Sequence, residues 1–499
     1  MHQRSTPPVP RDSHESARWQ ETRLRRRLLE GVWQADLEQR MREQVGTIRA
    51  DAWGEPSLAL NVFSNTVREL SVLYDSPYQI THDLPQIDTT AITVLMRQGG
   101  IFGMMPEIQR MTLGLREQFI RPHVNNKGQL RFRSVTPDMV LAASTVDVPD
   151  VPIEIQEFRL RQCKDHPEPI WTVDYLSIAD LDNPVYSVHV AGSDGKLGKD
   201  ITVEVLGKEA SGAAYPYRRK VREGDEIGRP VLPYILYHAK GAKDRLFDPY
   251  YWHELVDASL DIAVGHQFVL HVFRDSSWPQ RYIANLEVGG ASLVENADGS
   301  RQQIVTDPST VLPLFSANDG DGDSYPQPLV GQWKPGADIS VLESTLANMV
   351  ARVATDAGIP PSDIQRLGGT ARSGAAISLT NKGKRDQQRK FGQVFREPDE
   401  RLVGLCAILL NSATGSAFAE GGYTVVYQQL PLSPEELKAR REEVFEMLDR
   451  GLITKVDAYI ELHPGTTPAV AQTKTDEASA VAEALPTVDP KPPADPPAE

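Results

Sequence analysis

The sequence predicts an α+β fold, and three observations predict it. Apolar residues recur at three- and four-residue steps early in the chain and again beyond position 250. Between about 152 and 205 they alternate with period two, the mark of half-buried strands. From about 375 to 411 a long helical pattern returns, with Pro398 its one proline and the place for a kink.

The elements follow in order. Residues 16–50 carry Leu24, Leu28, Leu29, Val32, Trp33 and Leu37 on one helical face and Arg23, Arg25, Arg26 and Arg27 on the other. The basic face reads as a contact for nucleic acid or an acidic partner or, more commonly for such runs, as a solvated helix face. Helices are predicted over 58–74 and 89–97, the latter broken by Gly99, Gly100 and Gly103. Strands are predicted over 153–158, 171–175, 186–190 and 201–205, with a hairpin loop at 192–198. A helix over 250–273 and another over 340–357 enclose a loop-rich insertion, 275–338, containing short β-type stretches at 281–284 and 303–305. Residues 359–373 read as a loop and 423–427 as a strand.

Near the end, Ser433, Pro434 and Glu436 form a capping-box start, Gly451 a left-handed stop, and Thr454 with Asp457 a second capping box. Residues 1–15 and 466–499 are polar, Pro-rich or Ala-rich and acidic, and are predicted to be disordered.

The chain of 499 residues has room for roughly two to four domains. Its 40% hydrophobic and 24% charged residues are globular proportions. A formal net charge of -15 argues against a general nucleic-acid binder, which usually carries a basic surplus. It does not exclude an enclosure through which DNA slides, because an acidic wall repels phosphates. Cys163 and Cys406 are too few for a disulfide framework or a cysteine zinc site, so the expected compartment during folding is a reducing cytoplasm. Met1 to Arg11 lack a signal-peptide stretch, and no apolar run reaches a membrane span of about 20 residues.

Chemistry-bearing patterns are few. Asp319, Asp321 and Asp323 alternate like the start of a calcium loop, but Ser324 and Val330 stand where that loop needs glycine and glutamate, and an acidic turn is the simpler reading. A metal-dependent hydrolase acting through these aspartates is the alternative function. Gly368, Gly369 and Arg372 precede a helix, a placement suited to phosphate, without the ending of a nucleotide-binding loop. Lys382, Lys384, Arg385, Arg389 and Lys390 make a basic stretch on the long helix, for DNA, a neighbouring subunit's acids or solvent. The histidines are dispersed, and no nucleophile elbow or HExxH is present, so no enzyme, cofactor or metal is expected.

The order helix, β-rich insertion, helix, flexible loop, long helix, strand and small helical ending resembles the phage portal protein family. Tyr74-Asp75-Ser76-Pro77-Tyr78, Thr370-Ala371-Arg372-Ser373-Gly374-Ala375-Ala376, Leu430-Pro431-Leu432-Ser433 and Gly451-Leu452-Ile453-Thr454 carry the likeness, over roughly residues 20–465. The resemblance implies a ring, usually of twelve subunits, at one capsid vertex, conducting double-stranded DNA during packaging and ejection. A head–tail adaptor is the other ring-forming alternative, for which the chain is long.

After a disordered 1–19, the family's wing would span 20–247. Stem helices would lie at 248–273 and 340–358 around a clip at 274–339. A tunnel loop at 359–373 would lead to the long helix and wing return at 374–431 and a crown at 432–465, with 466–499 a disordered tail. Gly368, Gly369, Arg372, Lys382, Lys384 and Arg385 would face the channel. The implied partners are further copies of the chain, the terminase large subunit, the major capsid protein, scaffold during assembly, and a head–tail adaptor, with no membrane; the implied location is the virion after assembly in the host cytoplasm.

Overall fold

The computed structural model describes residues 12–163, 168–192, 195–220, 228–240, 245–248, 253–277, 280–286, 311–315, 329–333, 338–359, 374–428, 434–463 and 468–484. Helix and sheet are mixed, as in an α+β protein. The chain divides into two compact units, residues 1–369 with 386–428, and 370–385 with 429–499.

The first unit opens with α1 (Ser13–Glu30), α2 (Gln34–Val45), α3 (Thr47–Trp53) and α4 (Val62–Leu70). The start of α1 corrects the expectation of disorder through residue 19. Asp12 caps the helix by accepting from the His14 and Glu15 amides, and Trp19 is wholly buried. After β1 (Gln79–His82) come α5 (Thr90–Gly99) and α6 (Ile101–Leu115). The glycines at 99–103 do not end the helical region, because Gly100, at φ 85°, closes α5 and starts α6.

Two sheets follow. β2 (Glu117–Val124) lies between β3 (Leu130–Val135) and β9 (Ile235–His238), antiparallel to both. The second sheet runs β4 (Val140–Ser144), β5 (Pro152–Arg161), β6 (Ile170–Ser177), β7 (Val185–Ala191), β8 (Leu197–Asp200), all antiparallel. Three of the four predicted strands are found, and β7–β8 is the predicted hairpin. The fourth, 201–205, is instead a short helix, α7 (Thr202–Leu206). Its alternation is overridden locally: Asp200 accepts from both the amide and hydroxyl of Thr202, and Gly207 ends the turn at φ 74°.

Beyond the sheets lie α8 (His253–Ser277), β10 (Gln280–Leu286), β11 (Val311–Phe315), β12 (Leu329–Trp333) and α9 (Ile339–Asp356). β10 is central to this small sheet, parallel to β11 and antiparallel to β12. α8 and α9 pack together, and a Cβ on Gly265 would stand 3.3 Å from Leu346. α10 (Gly374–Thr414) follows, with Pro398 inside it, then β13 (Tyr423–Val426), paired with β1.

One core of this unit gathers Trp33, Phe63, Met96, Ile101, Leu260, Phe395 and Cys406 from the helices. A second fills the space between the two sheets with Phe119, Ile155, Leu176, Val188 and Leu236. On the outer face of the five-stranded sheet, Trp19 of α1 meets Phe158 edge-on at 5.2 Å. Gly114 is required where α6 meets α1, since a Cβ there would stand 2.5 Å from Leu29.

The second unit holds α11 (Pro434–Asp449), α12 (Lys455–Leu462) and α13 (Pro468–Ala484). The predicted capping box at Thr454 and Asp457 is formed. The predicted disordered tail is corrected over 468–484. That segment is a helix rich in alanine, with Ala471 buried and side-chain pairs Gln472–Asp476 and Lys474–Glu477.

Candidate functional site

The predicted channel residues divide by position. Gly368, Gly369 and Arg372 lie outside the described residues, as do Asp319, Asp321, Asp323 and the predicted strand at 303–305. Lys382 lies in α10 with its side chain outside the described residues. Lys384 and Arg385 are half-buried on the same helix, in the second unit. Arg389 and Lys390 are exposed in the first unit, beside Gln388, which donates to the Gln428 carbonyl at 2.8 Å.

The arginine face of α1 is neither a nucleic-acid surface nor a solvated one. Arg25 is wholly buried, pairs with Glu21 at 2.8 Å and donates to the Gly114 carbonyl. Arg23 and Arg26 both reach the buried Asp138, at 3.6 and 3.1 Å. Arg27 holds Asp36 with two donors. These arginines fasten α1 to its neighbours. Arg18 adds to this, stacking 3.8 Å over Phe247 and donating to the Pro137 and Val140 carbonyls.

Burial, reinforced by Arg116, lowers the Arg25 pKa to about 10, so it stays charged at neutral pH. Burial works against ionisation of Glu21, yet Arg25 and Arg116 hold it below the usual carboxylate range. Burial pushes Glu117 up to about 7, against the pull of Arg116. Arg116, between α6 and β2, is the one non-glycine residue with positive φ among the described residues, at 81°.

Two further buried polar centres escaped sequence reading. Between the sheets, Arg121 of β2 donates to Glu157 of β5 and Asp174 of β6, each at 2.8 Å, and to the Tyr186 hydroxyl at 3.1 Å. Tyr234 donates to Glu157 at 2.7 Å. In the helical core, Asp399 of α10 accepts from Tyr74 and Tyr237 at 2.8 Å and from Tyr427 at 2.6 Å. The available signal was a charge inside an alternating strand, Glu157 in β5 and Asp174 in β6, and an acid following the proline of a long helix.

An open groove of about 560 Å³ lies at α7, lined by Tyr186, Lys199, Asp200, Thr202 and Glu204 among others. Among the described residues no group of histidines, cysteines and acids is arranged to hold a metal. Cys163 and Cys406 are buried. No helix among the described residues is long and apolar enough to cross a membrane.

A different kind of surface lies on α8 and α9. Phe268, Phe273, Val341 and Met349 are large apolar side chains left exposed, between 41% and 57% accessible, on the helices that flank the small sheet in sequence.

No protein-family model and no curated protein matches the chain. Solved structures do match. A chain from the virion of a native gene transfer agent particle is 10% identical, covers 82% of this chain and 91% of its own, and has a TM-score of 0.41. A chain from the neck of the native particle, computed with C12 symmetry, is 10% identical over 82% and 91%, at 0.40. One from the neck of the empty particle, computed with C6 symmetry, is 10% identical over 81% and 90%, at 0.40. At that identity and TM-score, the functional reading rests on the chain's own architecture.

Proposed function

We propose that this chain is the portal protein of a tailed phage-like particle, a ring-forming structural channel for double-stranded DNA and not an enzyme. The observation that carries the reading is the excursion α8, three-stranded sheet, α9. Two packed helices carry a small sheet between them and leave Phe268, Phe273, Val341 and Met349 uncovered. A closed ring covers such a face with the neighbouring copy at every subunit.

In this reading α8 and α9 are the stem and the small sheet is the clip, facing the terminase large subunit and later the head–tail adaptor. The sheets and helices before α8 form the wing, and the second unit the crown. Major capsid protein, and scaffold during assembly, surround the ring at one vertex of the virion. Gly368, Gly369 and Arg372 narrow the channel, with Lys382, Lys384 and Arg385 on the helix beyond them. An acidic chain with a few basic residues per subunit guides a duplex without gripping it, because each fixed phosphate contact adds affinity and salt dependence.

Electron microscopy of the purified full chain tests the proposal. Rings with a central hole are expected. A strictly monomeric particle at high concentration overturns the reading. As a sharper arm, Phe273→Glu should abolish rings while leaving a folded monomer.

A further inference from the structure

Among the described residues the charge between the two sheets does not balance. Across β2 and β3, Arg121 stands opposite Arg133 and His123 opposite Arg131. Across β5 and β6, Glu157 stands opposite Asp174. Like charges directly opposite are unfavourable within a sheet, so each pair depends on the facing sheet for its counter-charge. Arg121 and Arg133 reach Glu157, while Arg121, Arg159 and Arg161 reach Asp174. Four guanidiniums thus share two carboxylates.

The surplus is not spread evenly. Glu157 and Asp174 are sealed, at 2% and 0% side-chain exposure, and Arg121 at 6%. Arg133 and Arg159 are 29% and 33% exposed and Arg161 14%. Arg159 meets its carboxylate only at 3.5 Å, a weak contact for a group with five donors. The cationic excess therefore lies at the open end. His123 shares this field: burial, then Arg121, Arg133 and Arg159, lower its pKa.

We propose that this open end, formed by Arg133, Arg159 and Arg161 with Arg131 and His123 alongside, binds phosphate. Guanidinium forks match phosphate oxygens two at a time, and two surplus positive charges on a partly desolvated wall match a doubly charged ligand. The site is independent of the ring and channel reading; either stands if the other fails. The two negative charges have two sources, a free phosphate dianion or two neighbouring singly charged phosphodiesters of a nucleic-acid backbone, and one experiment separates them.

Inorganic phosphate is titrated into the full chain at about pH 8, with chloride holding ionic strength constant, and followed by calorimetry and by phosphorus NMR linewidth. Saturable binding of one phosphate per chain is expected. Arg159→Gln should weaken it roughly tenfold, the loss that goes with one charge-assisted hydrogen bond, with far-UV circular dichroism unchanged. A short duplex that displaces the phosphate identifies the backbone as the source; a duplex that leaves it bound identifies the free anion. Absence of saturable binding to the wild-type chain overturns the proposal, as does undiminished binding to a folded Arg159→Gln. The phosphorus signal needs no variant, so the proposal stays falsifiable if the substitution unfolds the protein.

Discussion

Asp174 and Asp399 are equally buried carboxyls that the protein treats in opposite ways. Asp174 sits between the sheets among the guanidiniums of Arg121, Arg159 and Arg161. Burial opposes its ionisation, yet Arg121 and Arg161 hold it well below the usual carboxylate range. Asp399 sits among three tyrosine hydroxyls. Burial pushes it up to about 7, and the hydrogen bonds from Tyr427, Tyr237 and Tyr74 only partly oppose that rise. Full opposite charges at contact distance outweigh desolvation, whereas neutral dipoles, even three of them, do not. The first centre is a permanent charge fastening two sheets together. The second titrates near neutrality while tying α10 to β9 and to the segments after α4 and β13.

The contrast is broken most directly at Asp174. Asp174→Asn removes the charge and leaves the buried Arg121 with Glu157 as its one remaining carboxylate partner, while Arg161 loses the carboxylate it holds. Uncompensated buried charge costs about 3–5 kcal/mol, so a loss of that size is expected in urea unfolding at neutral pH. Asp399→Asn is expected to be neutral or stabilising at the same pH, because the wild-type carboxyl, ionised in the unfolded chain, must take up a proton or lose its hydration to fold, whereas asparagine need not. Equal losses in the two variants would erase the distinction.

The pH dependence sharpens it next. Asp399 has a folded pKa raised above its unfolded value. Its contribution is full below about pH 4 and is lost as pH rises toward 7, by at most about 4 kcal/mol. Glu117, also pushed to about 7, contributes with the same sign. Asp174 runs the other way: its contribution is present above pH 4 and is lost as pH falls further. Urea midpoints from pH 4 to 8 should therefore show a downward slope that Asp399→Asn reduces, and that Glu117→Gln combined with it reduces further. A slope unchanged in Asp399→Asn would mean that the three tyrosines hold a permanent carboxylate.

This difference was out of reach of the sequence, although most of the scaffold was legible. Periodicity located α8, α9, α10, β5, β6 and β7, because each has one face toward a core and repeats its apolar residues accordingly. It failed at 201–205, where the Asp200 side chain starts a helical turn despite an alternating pattern. It failed again at 468–484, where alanine-rich composition resembles disorder but forms a helix with Ala471 buried. The arginines of α1 misled most. A basic helix face looks solvated until Asp138, Asp36 and Glu21 are seen to answer it, and Asp138 is over a hundred residues away in sequence. Partners that distant leave no local spacing to read. Of the channel candidates, the sequence could mark Lys384 and Arg385 as basic helix positions, but their half-buried state belongs to the fold.

The smallest effect is the most discriminating. Tyr427 is the least buried of the three donors to Asp399, and Tyr427→Phe removes one hydroxyl while keeping the ring contacts with Tyr74 and Tyr78. An ionised carboxylate needs that donor more than a protonated one, whose own proton satisfies part of the network. The substitution should cost about 1–2 kcal/mol at pH 8 and less than half of that at pH 5, and should raise the pKa of Asp399 further. The same change at Tyr186, whose hydroxyl accepts from Arg121, should cost the same at both pH values, since neither Arg121 nor Asp174 titrates between them. A pH-independent cost for Tyr427→Phe would place Asp399 in the same class as Asp174, and one measured on the tyrosines alone decides it without disturbing either carboxyl.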